Sequence, residues 1–141
     1  MREMAADEAV AFLSAGTRTG HLATVRDDGR PHVAPIWFVV EGDHLVFTTW
    51  HDSVKGRNLR QAGRAAISVD DARPPYSFVA VEGEVTIDDD VAEARRVATV
   101  IGGRYMGADR AEEFGSRNGV AGELVVRLAM DRVIARADVS D

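Results

Sequence analysis

Residues 20–50 read GHLATVRDDGRPHVAPIWFVVEGDHLVFTTW. This stretch contains three runs rich in β-branched and aromatic residues, which cover positions 21–26, 32–40 and 44–49. Two strong turn signals separate the runs, Asp27-Asp28-Gly29 and Glu41-Gly42-Asp43. The stretch therefore predicts an antiparallel meander of three strands, with Pro35 at a bulge or at a sheet edge.

The flanking sequence adds further strands and a few helices. Apolar spacing predicts helices over 6–15, 53–61, 91–105 and 109–117, the first capped by Asp7 and the second by Asp52 or Ser53. Strands are predicted over 65–69, 78–87 and 124–130, the last continuing into 133–135. Gly83 interrupts the apolar face of its strand, which indicates a bulge or a close backbone approach. The pattern predicts a mainly β fold, a small β-barrel of six or so mostly antiparallel strands with peripheral helices.

Composition excludes several classes of protein. The chain has 141 residues, which predicts one domain over residues 1–141. Its net charge of −6 argues against a general nucleic-acid binder or a polybasic membrane patch. It has no cysteine, so disulfides and thiolate chemistry are excluded. No apolar run is long enough to span a bilayer and residues 1–10 do not resemble a signal peptide, so we expect a cytoplasmic protein.

The segment TTWHDSVKGRNLR, residues 48–60, carries the strongest chemical signal. A strand ends in the hydroxyl residues Thr48 and Thr49, and a helix opens at Ser53 with Lys55, the only lysine, in its first turns. Unpaired N–H groups at a helix start, together with a lysine and hydroxyl donors, suit a phosphate. The alternative is an ordinary polar surface helix, since short polar motifs are weak evidence.

A second unusual segment is PHVAPIWF, residues 31–38. Pro35 cannot donate to a sheet neighbour, so an adjacent backbone amide could face a ligand. Trp37 could pack against a planar ring, or it could belong to the core or to a dimer interface.

Metal and nucleotide motifs are missing from the sequence. None of the four histidines has metal-site spacing, so we expect no metal. Gly102-Gly103 lies in or beside a predicted helix, the wrong context for a dinucleotide fingerprint. No serine nucleophile elbow is present either.

The residues quoted above carry a resemblance to a known family. Residues 22–71, from LATVRDDGRPHVAPIWF to ISVDD, resemble the split β-barrel family that includes pyridoxamine 5′-phosphate oxidase. More narrowly, the pattern TTxxxSVKxRNL after DGRPHVAPIWF resembles the branch of oxidoreductases that bind the deazaflavin coenzyme F420. The similarity continues through PPYSFVAVEGEVTI and, more loosely, through ELVVRLAMDRVIA. It implies an FMN-binding-like split β-barrel and a homodimer with the cofactor at its interface.

The resemblance also implies roles for individual residues. Residues of this family that match Lys55, Arg57 and Asn58 hold the cofactor phosphate, with hydroxyls matching Thr48 and Thr49 nearby. The positions matching Pro35, Ile36 and Trp37 lie along the ring system. Arg60 and Arg64 are candidates for the oligoglutamate tail of F420 because they are close in sequence.

The function implied is hydride transfer from reduced F420 to an unsaturated or electron-poor small molecule. The cofactor supplies the hydride, so the site needs no protein acid or base; a proton could come from solvent, His51 or Tyr76. Two alternatives remain at this point: an FMN-dependent oxidase or reductase of the same fold, and a carrier that binds F420 without turnover.

Overall fold

A computed structural model describes all residues from 1 to 141. The strands are β1 (Arg2–Glu3), β2 (Gly20–Val25), β3 (Pro31–Ile36), β4 (Val39–Glu41), β5 (His44–Trp50), β6 (Arg64–Asp71), β7 (Ser77–Asp88), β8 (Glu123–Ala129) and β9 (Arg132–Ala137). The helices are α1 (Ala6–Ser14), α2 (Val54–Ala62), α3 (Val91–Met106) and α4 (Ala111–Asn118), with a 3-10 turn at Ala108–Arg110. No helix is long and apolar enough to cross a bilayer.

All strand pairs are antiparallel, and the sheet curls into a split barrel. Seven strands follow the order β3-β2-β6-β7-β8-β5-β4, and β9 pairs with β7 and with β1. Phenylalanine, leucine and valine side chains from both halves fill the interior, led by Phe38, Phe47, Leu13, Leu22 and Leu45, which are fully buried. The mainly β split-barrel fold expected from the sequence is confirmed.

The long strand β7 belongs to both halves of the barrel. Its first part pairs with β6 and β9, and residues 85–88 pair with β8. The change of partner occurs beside Gly83, where a Cβ atom would lie 1.8 Å from the Ala129 carbonyl oxygen. The next amide, Glu84 N–H, donates to the Asp131 carboxylate at 2.9 Å. The predicted close approach at Gly83 is therefore confirmed, and it lets the turn between β8 and β9 pack against β7.

The strand predicted over 32–40 is in fact two strands, β3 and β4. The predicted three-strand meander is therefore wrong: the segment forms two hairpins, β2–β3 and β4–β5, and β3 and β4 lie at opposite ends of the sheet order. Phe38 lies in the break, where its N–H donates to the Tyr105 hydroxyl at 3.3 Å and its carbonyl accepts from Arg104 at 2.6 Å. Side chains of α3 thus form the hydrogen bonds to the Phe38 backbone that a neighbouring strand would otherwise form. Together with β1 and a separate β9, this raises the count from the predicted six or so strands to nine. Pro35 does lie in an edge strand, as β3 ends the order.

The two predicted helix caps have different outcomes. Ser53 caps α2, because its side chain accepts from Gly56 N–H at 3.0 Å. Asp7 does not cap α1; Ala5 holds that position, and Asp7 lies inside the first turn. There its carboxylate accepts from Glu8 N–H and interacts favourably with the positive end of the helix dipole.

Candidate functional site

A cleft of about 390 Å³ opens where β3 ends, where β5 meets α2, and where the α3–α4 pair covers the barrel. Nine residues line it: Thr19, Pro35, Ile36, Trp37, Thr48, Lys55, Ile101, Asn118 and Glu123. Five of the nine are residues singled out from the sequence for cofactor binding. The structure therefore brings the two motifs, residues 31–38 and 48–60, to a single concave surface.

One end of the cleft is polar. Strand alternation directs Thr48 toward the cleft and Thr49 into the interior. Thr49 Oγ1 lies 3.0 Å from Ser53 Oγ, and Ser53 Oγ donates to the Trp50 carbonyl at 2.8 Å. These contacts fix the start of α2, and Lys55 follows in its first turn. The Lys55 ammonium forms no ion pair within 4.0 Å, so its charge is available to a ligand.

Four of the residues predicted around the phosphate do not line the cleft: Thr49, Ser53, Arg57 and Asn58. Asn58 is only 5% exposed and donates to Thr24 Oγ1 at 3.0 Å. Arg57 is exposed and lies 3.6 Å from the Asp52 carboxylate. Ser53 is occupied as the helix cap. Lys55 and Thr48 thus face the cleft, whereas Asn58, Ser53 and Thr49 hold the backbone around it.

The other end of the cleft is aromatic. The Trp37 ring stacks on Tyr105 with centroids 4.8 Å apart and planes within 4°, and Phe114 packs against it at a tilt. Tyr105 is fixed in turn, because its hydroxyl donates to the Arg18 carbonyl at 2.7 Å. Trp37 remains 40% exposed. It is therefore neither a fully buried core residue nor a loose surface side chain, but a supported ring at the cleft wall.

Arg104 fixes the backbone behind this aromatic wall. Its guanidinium donates to the carbonyls of Leu13, Gly16 and Phe38, at 2.7, 3.0 and 2.6 Å. It also lies 5.0 Å from the Tyr105 ring centroid. Burial lowers the pKa of Arg104. Three backbone acceptors, including the C-terminal end of α1, compensate the charge in place of a carboxylate.

Four lining residues were missed by the sequence reasoning: Thr19, Ile101, Asn118 and Glu123. They come from three separate elements and one loop, and nothing in their local pattern marks them. Glu123 is the most informative, because burial raises its pKa while the Thr48 hydroxyl and the Lys55 ammonium lower it less. Glu123 reaches the cleft because the register between β5 and β8 pairs it with Trp50. This register cannot be predicted from the sequence.

The remaining predicted side chains lie elsewhere. His51 Nδ1 is 3.1 Å from the Gly122 carbonyl oxygen, and the ring packs beside Trp50. Tyr76 lies in the loop between β6 and β7 and is partly exposed. Neither lines the cleft. Arg60 is exposed in the last turn of α2, and Arg64 lines a different depression on the sheet. The structure contains no group of three or more histidine or carboxylate side chains arranged to hold a metal ion.

Comparison with known families matches residues 5–136 to the pyridoxamine 5′-phosphate oxidase model. The chain belongs to the pyridoxamine 5′-phosphate oxidase family. The resemblance seen in the sequence is confirmed at this level, and the split barrel is the fold of the family.

Solved structures of this family include several similar chains. A conserved hypothetical protein from Mycobacterium tuberculosis is 25% identical with a TM-score of 0.84, covering 97% of this chain and 87% of that one. A structure described as an F420 reductase is 29% identical with a TM-score of 0.68, covering 87% of this chain and 94% of that one. A FAD-binding protein from Mesorhizobium loti shares the fold at 20% identity and a TM-score of 0.71, covering 95% of this chain and 93% of that one.

The pyridoxamine 5′-phosphate oxidase family includes oxidoreductases. Among the similar structures, one is described as an F420 reductase and another as a FAD-binding protein. The cleft described above is where this chain offers groups suited to such a cofactor.

Proposed function

We propose that this protein is an oxidoreductase that binds coenzyme F420 and transfers a hydride from reduced F420 to an unsaturated or electron-poor small molecule. One observation carries the proposal: a single cleft has an unpaired lysine and a hydroxyl at one end and a supported tryptophan ring at the other. A phosphate linked to a planar ring system needs these two features together. The likeness to an F420 reductase favours F420 as the cofactor.

The residues of the cleft fit this group. Lys55 and Thr48 would hold the phosphate, and the end of β3 at Pro35–Trp37 would lie along the rings. The hydride chemistry belongs to the bound deazaflavin. The chain binds and orients it, and Ile101 together with Trp37 excludes water from the apolar end of the cleft.

We further propose a homodimer with the cleft at its interface. The outer face of β3, β2, β6, β7 and β9 carries exposed Val25, Val33 and Ile134. A depression of about 580 Å³ lies on the same part of the sheet. Strand alternation puts Pro35 on the face of Val33, so this surface continues into the cleft wall. A second copy on the sheet would therefore lie beside the cofactor.

The first experiment is a fluorescence titration of protein made in a host without F420, with F420 and FMN in parallel. Trp37 at the cleft wall supplies the signal. We expect tight binding of F420 and weaker binding of FMN. Preferential binding of FMN would instead make the protein an FMN-dependent member of the family. Turnover of reduced F420 with a panel of unsaturated acceptors then separates a reductase from a carrier.

Lys55→Ala is expected to weaken F420 binding by about 10- to 150-fold, because a charge-assisted contact to a phosphate contributes about 1.5–3 kcal/mol. Arg30→Ala is the control, since it removes an exposed positive charge in the turn between β2 and β3. Equal affinity of wild type and Lys55→Ala would show that the phosphate does not lie against Lys55.

A further inference from the structure

Glu123 introduces a negative charge where the proposed site needs a positive one. It is the first residue of β8, directly after Gly122, whose φ of +98° turns the chain into the strand. Its side chain lines the same cleft as Lys55 and Thr48. No arginine or lysine lies within ion-pair distance of its carboxylate. The cleft therefore contains one cationic side chain, Lys55, and one anionic side chain, Glu123, which do not form an ion pair with each other.

The environment of Glu123 opposes its ionisation. Burial is the main effect on its pKa and raises it, and the contributions of Thr48 on β5 and Lys55 on α2 only partly reverse this. The other titratable group close by is His51, whose ring contacts the carbonyl of the preceding residue, Gly122. A half-buried carboxylate without a salt bridge costs stability, so it is a candidate for a role in the site.

We propose that Glu123 makes the cleft select a singly charged phosphate diester over a doubly charged phosphate monoester. This inference rests on the proposed cofactor site. Lys55 attracts any phosphate, whereas ionised Glu123 repels it, and the repulsion grows with the number of negative charges on the phosphate group itself. A diester such as the phosphate of F420 carries one charge. A monoester such as FMN carries about 1.5–2 charges near pH 7.

The test compares Glu123→Gln with wild type in titrations of F420 and FMN at pH 8. Glutamine keeps the size and hydrogen-bonding capacity of the side chain and removes its charge. We expect the variant to bind FMN more tightly, and F420 more tightly by a smaller factor. The dissociation constant of FMN divided by that of F420 should fall on the order of tenfold. This is the effect of one additional charge near a partly buried carboxylate.

Glu112→Gln is the matched control, because Glu112 is exposed on α4 outside the cleft. It changes the net charge equally and should leave the ratio unchanged. A ratio in Glu123→Gln within twofold of wild type would overturn the inference while leaving the cofactor site intact. If neither cofactor binds wild type, both the site and the inference fall.

Acidification provides a second readout. Glu123 takes up a proton below its raised pKa, and a phosphate monoester loses its second charge below about pH 6. The preference of wild type for F420 should therefore shrink as the pH is lowered from 8 through the raised pKa of Glu123. In Glu123→Gln only the titration of the ligand remains, so the change should be smaller. An identical pH dependence in the two proteins would contradict the role of Glu123.

Discussion

Asn58 brings a polar amide into the interior at the base of α2. It donates to Thr24 on β2 at 3.0 Å and is almost fully buried. A buried hydrogen bond of this kind joins the helix that bears Lys55 to the sheet beneath it. Its contribution to the cofactor site is through the position of α2.

Asn58→Ala is therefore expected to lower the free energy of unfolding by about 1–3 kcal/mol, because Thr24 would be left without its partner. Urea denaturation measures this. The double variant Asn58→Leu with Thr24→Val replaces both partners with apolar groups and should recover part of the loss. Wild-type stability combined with lost F420 affinity in Asn58→Ala would instead support direct contact with the phosphate, as the family resemblance implies.

Residues suited to a cofactor could be selected from the sequence because they belong to local motifs. The direction in which each side chain points could not be predicted. Lys55, Thr48 and Trp37 could be selected because a strand end, a helix start and an edge-strand proline have local signals. Whether Asn58 faces the cleft or the core depends on which side of α2 meets β2. That is a property of the packing and not of the segment itself.

At the scale of elements, the α3–α4 pair covers one side of the cleft through Ile101 and Asn118. The two helices approach closely at Gly102, where a Cβ atom would lie 2.6 Å from Phe114 Cβ. At the next residue, Gly103, a Cβ atom would meet only Ala111 Cβ at 3.4 Å. Two adjacent glycines in one helix thus have different roles.

Gly102→Ala should destabilise the protein by about 1–3 kcal/mol through overpacking, despite the higher helix propensity of alanine. Gly103→Ala should be neutral or stabilising by up to about 1 kcal/mol, since it gains propensity without a clash. Thermal unfolding of the two variants makes the comparison. Equal shifts in Tm would show that α3 and α4 do not pack as described.

Elements with strong periodicity were predicted well, and the break between β3 and β4 was not. The pattern across residues 33–40 is continuously apolar, which favours one strand. The break exists because Arg104 and Tyr105, far away in the sequence, satisfy the backbone of Phe38. Only the packing of α3 against the barrel brings these groups together.

At the scale of the whole molecule, the outer sheet face tests the proposed dimer. Val33 is 67% exposed in edge strand β3, so a charge there costs the monomer little. We expect Val33→Glu to shift the protein toward monomer in sedimentation velocity and to weaken F420 binding. Val10→Glu, on the exposed side of α1, is the control and should change neither. A Val33→Glu variant that remains dimeric would place the interface elsewhere.

The β1–β9 pair has a consequence for how the protein is made. Arg2 and Glu3 pair with Ala137 and Arg136, and the N-terminal ammonium donates to the carbonyl of Asp141 at 3.0 Å. β1 therefore finds its partner only after nearly all of the described chain has been synthesised. β7 likewise lacks its neighbours β8 and β9 until late in synthesis. Co-translational folding can form the β2–β3 and β4–β5 hairpins early, but closure of the sheet must wait until β8 and β9 have been synthesised.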